Sequence, residues 1–131
     1  MKRTLAILIV TVLIFSLTAC MSDEAKFEKL KADLADAGYE VSDIFLDSNF
    51  KDVVSAFSFK IPFGDGAYLS APVVLAKDKA SAEANCALFG SESANEAMRN
   101  GRIFSFYANN YPQDYKDLIK TVIDGKEIPK K

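Results

Sequence analysis

Few side chains in this 131-residue chain are equipped for chemistry. It contains no histidine, which removes Ser–His and Cys–His nucleophile pairs, the common zinc sites and the usual general base near neutral pH. Carboxylates, lysines, tyrosines and two cysteines, Cys20 and Cys86, remain. There is no glycine-rich phosphate loop, no Cys-x-x-Cys and no metal-ligand spacing. The sequence thus points to no catalytic residue, no metal and no cofactor. A hydrolase remains open only through two carboxylates that the fold would have to bring together from distant positions.

Two stretches have the composition of a binding surface. In Phe63-Gly64-Asp65-Gly66-Ala67-Tyr68 two aromatics flank a glycine-bearing turn with one carboxylate, and loops of this kind often carry function. The alternative is that Phe63 and Tyr68 pack back on a sheet while the glycines turn the chain. The Asp-Gly pair supplies far fewer oxygens than a calcium loop needs. Further on, Tyr107, Tyr111 and Tyr115 lie among Asn109, Asn110 and Gln113. Stacking aromatics beside amide donors suit a sugar or peptidoglycan ligand. The competing reading is that Tyr111 and Tyr115 share a helical stripe with Leu118 and Val122 and belong to the core.

The first twenty residues carry the most specific pattern. Lys2 and Arg3 precede an apolar run of thirteen residues, Leu5 to Leu17, which ends in Leu17-Thr18-Ala19-Cys20. A basic start, a short apolar stretch and small residues before a cut are the parts of a secretory signal. With the cut in front of cysteine, the segment resembles the lipobox (type II) signal of bacterial lipoproteins; the resemblance covers residues 1–20 alone. It implies a diacylglyceryl thioether on Cys20 as the mature N-terminus, and hence a cell-envelope protein facing the periplasm or the exterior. One acyl chain holds a protein only reversibly, whereas two anchor it stably. Met21 stands where an aspartate often signals inner-membrane retention, so a Gram-negative source favours the outer membrane. The alternative, an uncleaved transmembrane helix, must stretch thirteen residues toward the ~20 needed to span a bilayer.

Cleavage leaves 112 residues, the size of one domain. Both signal charges are basic, so the mature chain carries 14 Lys and Arg against 18 Asp and Glu, a net charge of −4. A mildly acidic body without a basic block carries no footprint for nucleic acid, and no polybasic stripe to hold it flat on anionic lipid. The domain is accordingly expected to stand off in water. Fourteen of the fifteen aromatics lie beyond the signal, enough for a core. With Cys20 lipidated, Cys86 has no partner for an internal disulfide.

Periodicity places the elements. Ser22-Asp23-Glu24 caps a helix whose stripe is Phe27, Leu30, Leu34 and Ala37; Gly38 ends it, and Tyr39 folds back on Leu34. Tyr39 to Leu46 forms a first strand with a change of phase near Asp43, and Asp47-Ser48-Asn49 a turn. Val53, Phe57, Phe59 and Ile61 alternate with polar residues as a second strand stopped by Pro62. A short third strand, Val73 to Ala76, begins at Pro72. Asp78 caps a helix with Ala80, Ala84, Ala87 and Leu88 on its core face. Ala82, Cys86 and Phe89 lie on a second face, either covered in turn or a contact surface for a partner or second copy. Ser93 and Glu96 suggest a capping box restarting a shorter helix through Ala94, Ala97 and Met98, ended by Asn100-Gly101. Ile103 to Ala108, apolar on both faces, reads as a central strand. Pro112 opens a last helix with Tyr111, Tyr115, Leu118, Ile119 and Val122 inward, and Gly125 closes it.

The expectation is an α+β fold: a mainly antiparallel sheet of about four strands with helices packed on one face, in the order α-β-β-β-α-β-α. The signal occupies 1–19 and one domain 20–131, with a loose tail from 126 to 131. For function, the sequence favours a non-catalytic protein-interaction module on an envelope lipoprotein. A small-ligand or glycan-binding module, and then a carboxylate-dependent hydrolase, are the alternatives.

Overall fold

A computed structural model describes residues 21–90 and 94–131. The signal segment with Cys20, and Ser93, lie outside the described residues. The described chain is α+β: helix α1 (Asp23–Asp36), strands β1 (Val41–Asp43), β2 (Val53–Pro62) and β3 (Tyr68–Ala76), helix α2 (Lys79–Gly90), strands β4 (Asn95–Asn100) and β5 (Ile103–Ala108), and helix α3 (Gln113–Ile123). The sheet order is β1-β2-β3-β5-β4, and every pairing is antiparallel.

Local chemistry sets the ends of α1. Ser22 Oγ accepts the Ala25 amide at 3.1 Å, satisfying one of the donors a helix start leaves unpaired. At the other end Gly38 adopts φ 97°, a region open to glycine at little cost. This lets the Tyr39 and Gly38 amides reach back to the Leu34 and Ala35 carbonyls, both at 3.0 Å, as in a Schellman motif. The same closure ends α3, where the Lys126 and Gly125 amides donate to Thr121 and Val122.

Alternation along the strands divides the apolar residues between two faces. On the first, Phe57, Phe59 and Ile61 of β2, Val73 and Leu75 of β3 and Ile103 of β5 meet Phe27, Leu30 and Leu34 of α1 and Ile119, Val122 and Ile123 of α3. On the second, Ala56, Val74, Ala76 and Phe104 meet Ala82 of α2, with Ile44, Leu46 and Phe50 from the segment after β1. Two helices therefore cover one face, and α2 covers part of the other.

Several segments depart from the periodicity reading. Residues 95–100 form strand β4 where a capping-box helix was expected; six residues there pair with β5 through a two-residue connection, Gly101-Arg102. That added strand reverses the chain, so β5 meets β3 antiparallel. The first strand is confined to Val41–Asp43, ending at the change of phase, and Phe45 beyond it is wholly exposed. The third strand starts at Tyr68, with Pro72 inside it. A proline there is tolerated because the β3–β5 pairing is confined to Val74 and Leu75; the Pro72 carbonyl accepts the Ser105 hydroxyl. The tail is fastened: Ile128 packs on the core, and the Lys131 amide donates to the Ala37 carbonyl at 2.8 Å.

Candidate functional site

The two stretches singled out as binding surfaces converge at one end of the sheet. The β2–β3 hairpin closes through the Phe63 amide, which donates to the Ala67 carbonyl at 2.9 Å, with Gly64 and Gly66 at positive φ. Phe63 is 50% exposed and Tyr68 53%, and Asp65 stands exposed at the tip. The Lys60 ammonium lies 4.2 Å from the centroid of the Tyr68 ring, a cation–π contact, while pairing with Glu40 at 3.1 Å. The start of α3 abuts this hairpin: Phe63 meets Tyr115 edge-on at 6.2 Å.

The tyrosines of the second stretch are committed elsewhere. The Tyr115 hydroxyl donates to the Pro62 carbonyl and the Tyr111 hydroxyl to the Ser70 carbonyl at 2.9 Å. They pin α3 to the β2–β3 hairpin. Tyr107 is buried and stacks under Tyr111 at 5.7 Å. Asn109 and Asn110 are exposed in the turn between β5 and α3. The Asn109 carbonyl accepts from Lys116 at 2.7 Å, and the same ammonium pairs with Glu96. What remains outward at this end is the aromatic surface of Phe63 and Tyr68, flanked by Lys60 and Asp65. It offers stacking and charge contacts rather than a nucleophile with its base.

Burial, reinforced by the charges of Glu96 and Asp117, pushes the Tyr107 phenol up to about 12. The folded state holds that proton where an unfolded tyrosine would release it near 10, so stability contributed by this group falls as pH rises from about 10 toward 12. In an ultraviolet titration of the native protein we expect a phenol ionising near pH 12 that is lost in Tyr107→Phe. A Tyr107→Phe profile superimposable on the parent would refute the assignment.

The face of Ala82, Cys86 and Phe89 is turned to the sheet, and Ala80, Ala84, Ala87 and Leu88 are exposed. Ala82 is fully buried. Phe89 stacks on Phe50 at 4.8 Å and on Phe106 at 4.3 Å, and those two rings are 5.1 Å apart, a three-ring cluster. Cys86 Sγ sits half-buried 4.0 Å from the Met98 carbonyl, and burial raises its thiol above the ordinary range. These residues hold α2 to the sheet, while part-exposed Phe89 also borders a groove of about 600 Å³ with Phe50, Phe106 and Leu88.

A groove of about 550 Å³ beside the β1 edge was not foreseen. Wholly exposed Phe45 and half-exposed Val54 border it. Val54 owes its position to a register shift in β2 between Val53 and Ser55, next to Asp52, the only non-glycine residue at positive φ among those described. The change of phase near Asp43 was the signal in the sequence. Among the described residues, no three His, Cys, Asp or Glu side chains are grouped to hold a metal ion, and no helix is long and apolar enough to cross a membrane. Comparison with family models, with curated proteins and with solved structures finds no match to this chain.

Proposed function

We propose that the chain is a lipid-anchored cell-envelope lipoprotein whose folded domain is a non-catalytic protein-interaction module, facing the periplasm or the cell exterior. The observation that carries this reading is the run from Lys2 and Arg3 through the apolar stretch to Leu17-Thr18-Ala19-Cys20. On this reading a diacylglyceryl-bearing sulfur stands at the mature N-terminus. Two features of the domain support the interaction role. The Tyr111 and Tyr115 hydroxyls are spent on backbone carbonyls, and the rings of Phe63 and Tyr68 stand half exposed at the hairpin.

Cys20→Ala tests the anchor. The variant is expected to accumulate as a larger precursor that incorporates no labelled fatty acid. Labelling equal to the parent would overturn the reading. Crosslinking through a photoreactive residue at position 63, in intact cells carrying the lipidated protein, tests the interaction role. One stoichiometric protein adduct is expected, diminished by Tyr68→Ser; an abundant bound small molecule with no protein adduct would favour a ligand-binding module instead.

A further inference from the structure

We infer that the end of the domain bearing its N-terminus rests directly on the bilayer headgroups, holding the β2–β3 hairpin away from the membrane. This deepens the lipidation reading and rests on it. Its basis is the spacing between the proposed anchor and the fold. Ser22 already caps α1, so Met21 is the one residue between Cys20 and the cap. Two residue steps reach at most ~7 Å. The headgroup region of one leaflet is itself ~5–7 Å thick. A body starting so close to its anchor has no room to stand clear in water. A flexible ten-residue tether, by contrast, would give it ~17–19 Å.

Side-chain contacts define which surface is brought down. Arg102, in the β4–β5 connection, pairs with Glu24 at 2.8 Å and Asp23 at 3.5 Å, and its Nε donates to the Ala76 carbonyl at the end of β3 at 3.0 Å. Asn100 Nδ2 donates to the Ile123 carbonyl at the end of α3. Met21 borders the depression between α1 and these elements, beside Ile103, Ile123 and Gly125. The starts of α1 and β5 and the ends of β3, β4 and α3 thus share one pole.

The charges there are of both signs, Asp78 lying near Arg102 and Lys77. Asp23 and Glu24, the carboxylates nearest the anchor, share the single guanidinium of Arg102, and Lys120 pairs with Asp124. Lys26, Lys77, Lys79 and Lys126 make no ion pair within 4.0 Å among the described residues. These cations do not form a continuous stripe, so the short tether sets the orientation and the lysines tolerate it. Tyr68 and Ala76 mark the two ends of β3. Eight residue steps of strand separate them by ~27 Å, which carries Phe63 and Tyr68 well clear of the lipid.

The test uses the lipidated full protein in phosphatidylethanolamine–phosphatidylglycerol vesicles carrying a headgroup-attached quencher. A fluorophore is placed on Lys126→Cys or on Asp65→Cys, each combined with Cys86→Ala. Quenching at 126 is expected to exceed that at 65 several-fold. Inserting ten Gly and Ser residues after Met21 is expected to bring the two values together. Mass spectrometry of the same samples reports the lipid on Cys20. Equal quenching at both positions with the lipid present would overturn the seating alone. So would an unchanged ratio in the insertion variant, because spacing would then not orient the domain. Absence of the lipid would overturn the anchor and the seating together.

Discussion

Phe57→Ala is expected to destabilise the domain by ~3–5 kcal/mol, the cost of deleting a fully buried aromatic where the surroundings cannot collapse. Phe57 has no solvent exposure. It lies on β2 between β1 and β3, paired with Asp43 on one side and Val73 on the other. Its ring sits 5.0 Å from that of Phe27 on α1. Alanine there would leave a void bounded by two strands and a helix, each held by backbone bonds that resist closing over it. A domain of this size has ~5–15 kcal/mol to lose. The thermal midpoint should therefore fall on the order of 15 °C or more. The chain has no tryptophan, so circular dichroism in urea is the measurement, with an unchanged slope showing that stability and not the denatured state has moved. As a control, Lys29→Ala, which removes an exposed i,i+4 pair with Asp33, should cost only a few tenths of a kcal/mol. A loss below ~1 kcal/mol for Phe57→Ala would mean that the ring does not fill the first-face core as described.

The sequence was readable where one residue's chemistry decides the local outcome. Ser22 as cap, Gly38 with Tyr39 as helix closure and the alternation of Phe57, Phe59 and Ile61 are short-range effects, and the structure reproduces them. The hairpin of β4 and β5 also had a local signal. Glycine at the first position of a two-residue connection is a hairpin signal of the II′ type, and Gly101 takes φ 61° ahead of Arg102. Ala94, Ala97 and Met98 gave a competing helical pattern, and pairing with β5 overrode it. The orientation of α2 was not readable, because alanines lie on both of its faces and no stripe outweighs the other. Long-range contacts chose the side: the stack of Phe89 on Phe50 and Phe106, and Asn85. The same limit hid the convergence of Phe63 with Tyr115, which are 52 positions apart. Seating of the tail against Ala37 was hidden likewise.

Asn85→Ala is expected to cost ~1–3 kcal/mol, mainly through polar groups left without partners. Asn85 is 4% exposed, one of two buried polar residues among those described. Its amide nitrogen donates to the Lys51 carbonyl at 3.0 Å and the Ser81 carbonyl at 2.9 Å, and its oxygen accepts the Lys51 amide at 3.4 Å. One side chain thus closes both backbone groups of Lys51, a residue between the 47–50 turn and β2, and fastens that segment to α2. Alanine fits the space yet satisfies neither group. The cost is therefore set by desolvated polar atoms rather than by lost packing. It should also be local. The turn carries Phe50 into the stack with Phe89 and Phe106, so loosening Lys51 frees the support beneath α2. Hydrogen exchange at the Lys51 amide should accelerate more than at core strand amides, which open only with the global transition. An exposed change on the same helix, Ala84→Ser, should stay within ~0.5 kcal/mol of the parent. If Asn85→Ala exchanged at Lys51 like the parent and melted at the same urea concentration, Asn85 would not be the tie that sets how α2 faces the sheet.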